Sequence, residues 1–94
     1  MKYLRFERMD GKVYSFPRPH LRWLTLVDGG RIEAGFSSKL VTVVGIGLEE
    51  LFENMAANPS YLVREEPTRH LGGETWVEKI VAKPHTKKTS TKKT

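Results

Sequence analysis

The chain has 94 residues, 38% of them hydrophobic, and a formal net charge of +5. That fits one modest domain. It contains no cysteine, which excludes a disulfide framework, a thiolate metal site and a cysteine nucleophile. It has no apolar run near the ~20 residues that span a bilayer as a helix, so no membrane partner is expected.

The charge is unevenly distributed. Residues 1–46 hold eight Lys/Arg against four Asp/Glu, residues 47–82 three against seven, and residues 83–94 five lysines with no acid. The excess therefore sits in the C-terminal segment, and residues 1–82 are neutral in sum. The N-terminal MKYLRFERMDG carries charges where a signal peptide needs an unbroken apolar segment, so the expected location is the cytoplasm.

Residues 1–7 alternate, with Leu4 and Phe6 against Lys2 and Arg5, the period of a half-buried strand. Asp10-Gly11 suits a hairpin because glycine tolerates positive φ, and residues 12–16, KVYSF, form the return. Pro17 and Pro19 end that strand, since proline has no place in a central one. Residues 21–27, LRWLTLV, are rich in β-formers, buried on both faces or on one face with Arg22 snorkelling. Asp28-Gly29-Gly30 is a second hairpin turn. Residues 31–36 place Ile32, Ala34 and Phe36 on one side and Arg31 and Glu33 on the other. Residues 40–44, LVTVV, read as an interior strand.

Residues 48–56 change period. Leu48, Leu51, Phe52, Met55 and Ala56 make one stripe of a helix, and Glu49, Glu50, Glu53 and Asn54 fill the opposite face. Glu49 and Glu50 fall in the first turn, where the helix dipole favours acids. Asn58 suits a left-handed C-terminal conformation, and Pro59 cannot continue the helix. Burying the four larger stripe residues contributes roughly 6–12 kcal/mol as an upper bound, so the stripe is expected to be core.

Residues 61–66 read as a short strand and 67–73 as loop. In residues 74–82, Trp76, Val77, Ile80 and Val81 fit a helical period, while the β-branched content and the preceding Gly-Gly favour a strand. Strand is the reading adopted. The expected class is α+β: an antiparallel meander in a single sheet layer packed on one amphipathic helix over residues 1–82, with a disordered basic tail over 83–94.

Little in this sequence carries chemistry. Gly45-Ile46-Gly47 lies between strand and helix but fits neither GxGxxG nor GxxxxGK[ST], and Glu49 and Glu50 would meet an incoming phosphate. No cofactor is implied. His20, His70 and His85 have no partner at i+3 or i+4, so a metal site has little support. Ser37, His20 and Asp28 make a drawable trio without a nucleophile elbow. Glu49/Glu50 and Glu65/Glu66 are adjacent pairs that diverge on a helix or a strand. The chain is expected not to be an enzyme.

Residues 16–23, FPRPHLRW, set Arg18, His20 and Arg22 beside Phe16 and Trp23, a mixture that suits bases and phosphates. The alternative is a proline-rich loop with a core Trp23 and solvated arginines. The terminal KPHTKKTSTKKT carries Lys83, Lys87, Lys88, Lys92 and Lys93 and is too polar to fold alone. Five lysines on duplex phosphates would give a log–log salt slope of about −4.5; a merely solubilising terminus is the alternative. Two functions are carried forward: a non-catalytic module held on nucleic acid or another polyanion through Arg18, His20, Arg22, Trp23 and the tail lysines, or a protein-interaction module with no nucleic-acid role.

Overall fold

The computed structural model of the chain describes residues 2–66 and 75–84. They form seven strands and one helix: β1 (Tyr3–Glu7), β2 (Val13–Pro17), β3 (Leu21–Val27), β4 (Arg31–Phe36), β5 (Lys39–Ile46), α1 (Glu49–Ala57), β6 (Tyr61–Arg64) and β7 (Trp76–Pro84), with a 3-10 turn at Arg18–His20. The class is α+β, with predominantly antiparallel sheet and one helix, as the sequence predicts. The single sheet layer does not hold. The strands divide into a three-stranded sheet, β2-β1-β6, and a four-stranded sheet, β3-β4-β5-β7. The pairing of β1 with β6 is parallel. A parallel pair far apart in sequence has no turn between its strands, so no local signal announces it.

Both predicted hairpin turns form. At the first, the Gly11 amide donates to Arg8 O (3.0 Å), the Arg8 amide to Lys12 O (2.8 Å), and Gly11 takes φ +91°. This is a three-residue loop with its glycine in the left-handed region. The Asp10 carboxylate accepts the Lys12 amide at 3.0 Å, and this bond, ahead of nearby Arg8, holds its pKa below the ordinary value. At the second, Asp28 and Gly29 both have positive φ, 53° and 69°, and the Gly30 amide donates to Val27 O. Two positive φ values give the turn whose twist matches the flanking strands.

Side-chain alternation assigns the faces. Leu4, Phe6 and Val63 of the smaller sheet meet Ile32, Ala34, Phe36, Val41, Val43, Val77 and Ile80 of the larger in one buried core. Phe16 stacks on Phe36 at 4.2 Å between ring centroids, and Phe6 meets both edge-on at 6.1 Å, so three rings tie the sheets together. The 21–27 strand buries only one face: Leu24 and Leu26 pack on the core, while Trp23 and Thr25 are exposed.

Helix α1 completes the core with Leu48, Leu51 and Met55. Phe52 is half-buried and Ala56 exposed, so the stripe is narrower than its period suggests. Asn58 is extended (φ −102°, ψ 123°) and not left-handed, because the residue before a proline is pushed to the β region. It closes the helix differently, its side-chain amide donating to Asn54 O at 2.8 Å. The helix is pinned to both ends of β3. The Leu48 amide donates to Gly29 O (2.9 Å) in the β3–β4 turn. At the other end, Arg18 Nη1 and Nη2 donate to Asn58 O (2.6 Å) and Ala56 O (3.2 Å) just before β3.

In residues 74–82 the strand begins at Trp76, and β7 runs on through Lys83 and Pro84. The helical-looking spacing of Val77 and Ile80 comes from a bulge. Val44 pairs with Lys79 but Gly45 with Val77, leaving Glu78 unpaired. One extra residue shifts the phase, so two side chains three apart face the same core. Gly45 is required there, since a Cβ would collide with the Trp76 carbonyl.

A single carboxylate joins the sheets on the far side of β7. Glu65, 7% exposed, follows β6 and accepts the Met9 amide at 2.8 Å and the Ile80 amide at 2.6 Å. Arg8 Nε lies 4.0 Å away.

Two substitutions and one control test this packing. Leu51→Asp is expected to abolish the cooperative thermal transition followed by circular dichroism, whereas Ala56→Asp shifts stability by no more than about 0.5 kcal/mol. Urea denaturation of Glu65→Ala is expected to show a loss of about 3 kcal/mol, because two charge-assisted bonds go and a buried amide is left unpaired.

Candidate functional site

The four-stranded sheet has one face on the core and one turned outward. Its register sets three outward rows across the strands: Trp23–Gly35–Leu40–Lys83, Thr25–Glu33–Thr42–Val81, and Val27–Arg31–Val44–Lys79. Every residue of these rows keeps some exposure except Gly35. Gly35 is buried because the six-membered ring of Trp23 occupies the place a Cβ would take. The indole therefore lies against the β4 backbone, an aromatic covering a strand glycine. It remains 39% exposed.

Of the candidate residues, the structure brings Trp23 and Lys83 onto one row, three interstrand steps or about 14 Å apart. Arg22 is the unpaired residue of a second bulge, since Leu21 pairs with Phe36 and Trp23 with Gly35. Its guanidinium donates to Ser37 Oγ at 3.2 Å, at the same end of the sheet as Lys83. His20 is exposed at the end of the 3-10 turn. Arg18 serves the fold instead. Its fork holds the last carbonyls of α1, where helix C-termini favour cations. Lys87, Lys88, Lys92 and Lys93, with the expected tail disorder, lie outside the described residues, as do His70 and His85.

Sequence reasoning misses two cations on this face, Arg31 and Lys79. Strand alternation turns Arg31 away from the core but does not say what surrounds it. Its row partner Lys79 is visible only once the bulge at Glu78 is known. The acids nearby are Glu33, whose Oε2 is 3.5 Å from Arg31 Nε, and the exposed bulge residue Glu78.

Other features of the sequence resolve into structural roles. Gly47 has φ +63°, and the Gly45 amide donates to Gly30 O at 3.0 Å. With the Leu48 amide already bonded to Gly29 O and the Glu49 carboxylate against Gly29, the glycine turn docks the helix on a hairpin. Ser37 and His20 sit at one end of β3 and Asp28 at the other, about 20 Å along the strand, so that trio does not assemble. Among the described residues no three His, Cys, Asp or Glu side chains gather as a metal site, and no helix is long and apolar enough to cross a membrane. A cleft of about 390 Å³ beside β6 is lined by Leu51, Leu62, Val63, Arg64, Glu66, Thr75 and Val77. The Thr75 hydroxyl in it donates to Gly47 O at 3.0 Å.

No protein-family model matches the chain, and no curated protein or solved structure does either.

Arg18→Ala is expected to lower stability by about 1 kcal/mol in urea denaturation, the size of exposed hydrogen bonds to helix-terminal carbonyls. Arg18→Lys recovers only part of it, because a single ammonium does not span two carbonyls as the guanidinium fork does.

Proposed function

We propose that this chain is a small non-catalytic binding module that associates with nucleic acid mainly through backbone electrostatics. The observation that carries the reading is the register of β7. It sets Lys83 on the same outward row as Trp23, at the end of the sheet from which the lysine-rich terminus continues. Arg22 stands at that end, and Arg31 and Lys79 lie on the same face two rows away. Cations around an exposed aromatic on an open sheet meet phosphates and bases with compatible chemistry. Electrostatic contacts of this kind position a nucleic acid without reading its sequence.

A protein-binding module of the same fold is the second reading. It draws support from apolar side chains exposed on each sheet, Ile46 on β5 (39%) and Leu62 on β6 (44%).

The test is fluorescence anisotropy with a labelled duplex across a salt series. The full chain is compared with a variant carrying Lys87, Lys88, Lys92 and Lys93 as glutamine. The nucleic-acid reading predicts binding that weakens steeply with salt, and a log–log slope shallower by about 3.6 in the variant. A full chain that binds no nucleic acid at low salt, yet changes size in the presence of a protein partner, would establish the second reading.

A further inference from the structure

Resting on the reading just given, we infer that the outward face of the four-stranded sheet selects single-stranded over duplex nucleic acid. One base stacks on the Trp23 indole, and the strand crosses the sheet toward Lys83.

The geometry begins at Gly35. It is directly opposite Trp23 in the β3–β4 register, and a Cβ there would overlap Cε2, Cζ2 and Cη2 of the indole. The missing side chain lets the ring lie down on the backbone of β4, where any other residue would force it to stand away. A large aromatic ring held flat on a sheet, 39% exposed, is the surface on which an unpaired base stacks. A paired base in a duplex keeps its faces against its neighbours and does not reach such a ring. Only the single strand gains from it.

The rest of the row fits the same occupant. Leu40 lies between the ring and Lys83, an apolar step on which a second base or a sugar can rest. Arg22 adjoins Trp23 on β3, and Lys83 supplies positive charge at the far end of the row. Glu33, the acid on the outward rows, is already matched by Arg31 at 3.5 Å. The face therefore offers stacking and charge together, with Glu78 at the bulge beside Lys79 as the other acid nearby, on the far side of the sheet's register from Trp23. An acidic peptide would use the charge but gain nothing from the ring, so stacking distinguishes the two occupants.

The experiment uses the full chain with a labelled 15-nucleotide thymidine strand and a 15-base-pair duplex, read by anisotropy at fixed salt. The chain is expected to bind the single strand at least tenfold more tightly. Trp23→Ala is expected to lose about tenfold on the single strand and nothing on the duplex, and Trp23→Phe to keep most of the preference. Thermal melts of both variants confirm that the fold survives. Lys83→Gln should weaken both ligands and lower the salt slope on the single strand by about 0.7 while keeping the preference. Equal affinity for the two ligands, or an unchanged preference in Trp23→Ala, overturns this inference and leaves the broader nucleic-acid reading standing. Displacement of the single strand by polyglutamate at equal charge concentration also overturns it. If the full chain binds neither ligand, the broader reading fails first.

Discussion

The fold depends on where one buried carboxylate sends its bonds. Glu65 belongs to the end of the three-stranded sheet, yet its Oε2 accepts an amide from β7 in the four-stranded sheet, while Oε1 accepts Met9 in the β1–β2 loop. A carboxylate removed from water is tolerated only when its oxygens are satisfied, and charge-assisted bonds are about twice as strong as neutral ones. The Ile80 amide points away from β5 and, as part of an edge strand, would otherwise be an open donor. Glu65 satisfies it and so fixes β7 against the smaller sheet. The outward face is tied to the same contact, because Lys79 and Lys83 are carried by that strand.

Much of this is legible from residue order alone. The two hairpin turns, the helix and the inward side of β4 follow from glycine φ, from the 3.6-residue stripe and from strict alternation, all local rules. What is not legible depends on partners distant in the chain. The parallel β1–β6 pair has no connecting turn. Glu65 looks like one half of an adjacent acidic pair, because nothing near it in sequence says that two remote amides await it. The ambiguity at residues 74–82 has the same origin: a bulge opposite Gly45 breaks the period-2 pattern and imitates a helix.

The candidate site is legible in composition and not in geometry. The mixture in residues 16–23 singles out Trp23 and Arg22, which are neighbours on an exposed strand. It gives Arg18 the same role, and Arg18 is committed to the end of α1. Its closeness to Ala56 and Asn58 is invisible in one sequence. Lys83 groups with the tail by its lysine and threonine neighbours, whereas the β5–β7 register makes it a sheet residue facing the same way as Trp23. Gly35 carries no signal at all: within an otherwise alternating strand it reads as a weak position, and only the indole across from it explains the choice.

The charge balance shows why composition understates the face. In sum the first 82 residues are neutral, but neutrality of the sum says nothing about placement. The acids of α1, Glu49, Glu50 and Glu53, are exposed on a helix whose other side, Leu51 and Met55, is in the core. That core lies on the inward face of the four-stranded sheet, which stands between Glu50 and Glu53 and the outward rows, whereas the Glu49 carboxylate reaches Gly29 in the β3–β4 turn. At physiological ionic strength the screening length is about 8 Å, so Glu49 and Glu33 offset the charge at the Arg31 end of the sheet and act less on Arg22 and Lys83 at the opposite end. Residues 1–82 sum to zero, yet the strand register gathers Arg22 and Lys79 on one side of the sheet and adds Lys83 from just beyond that segment.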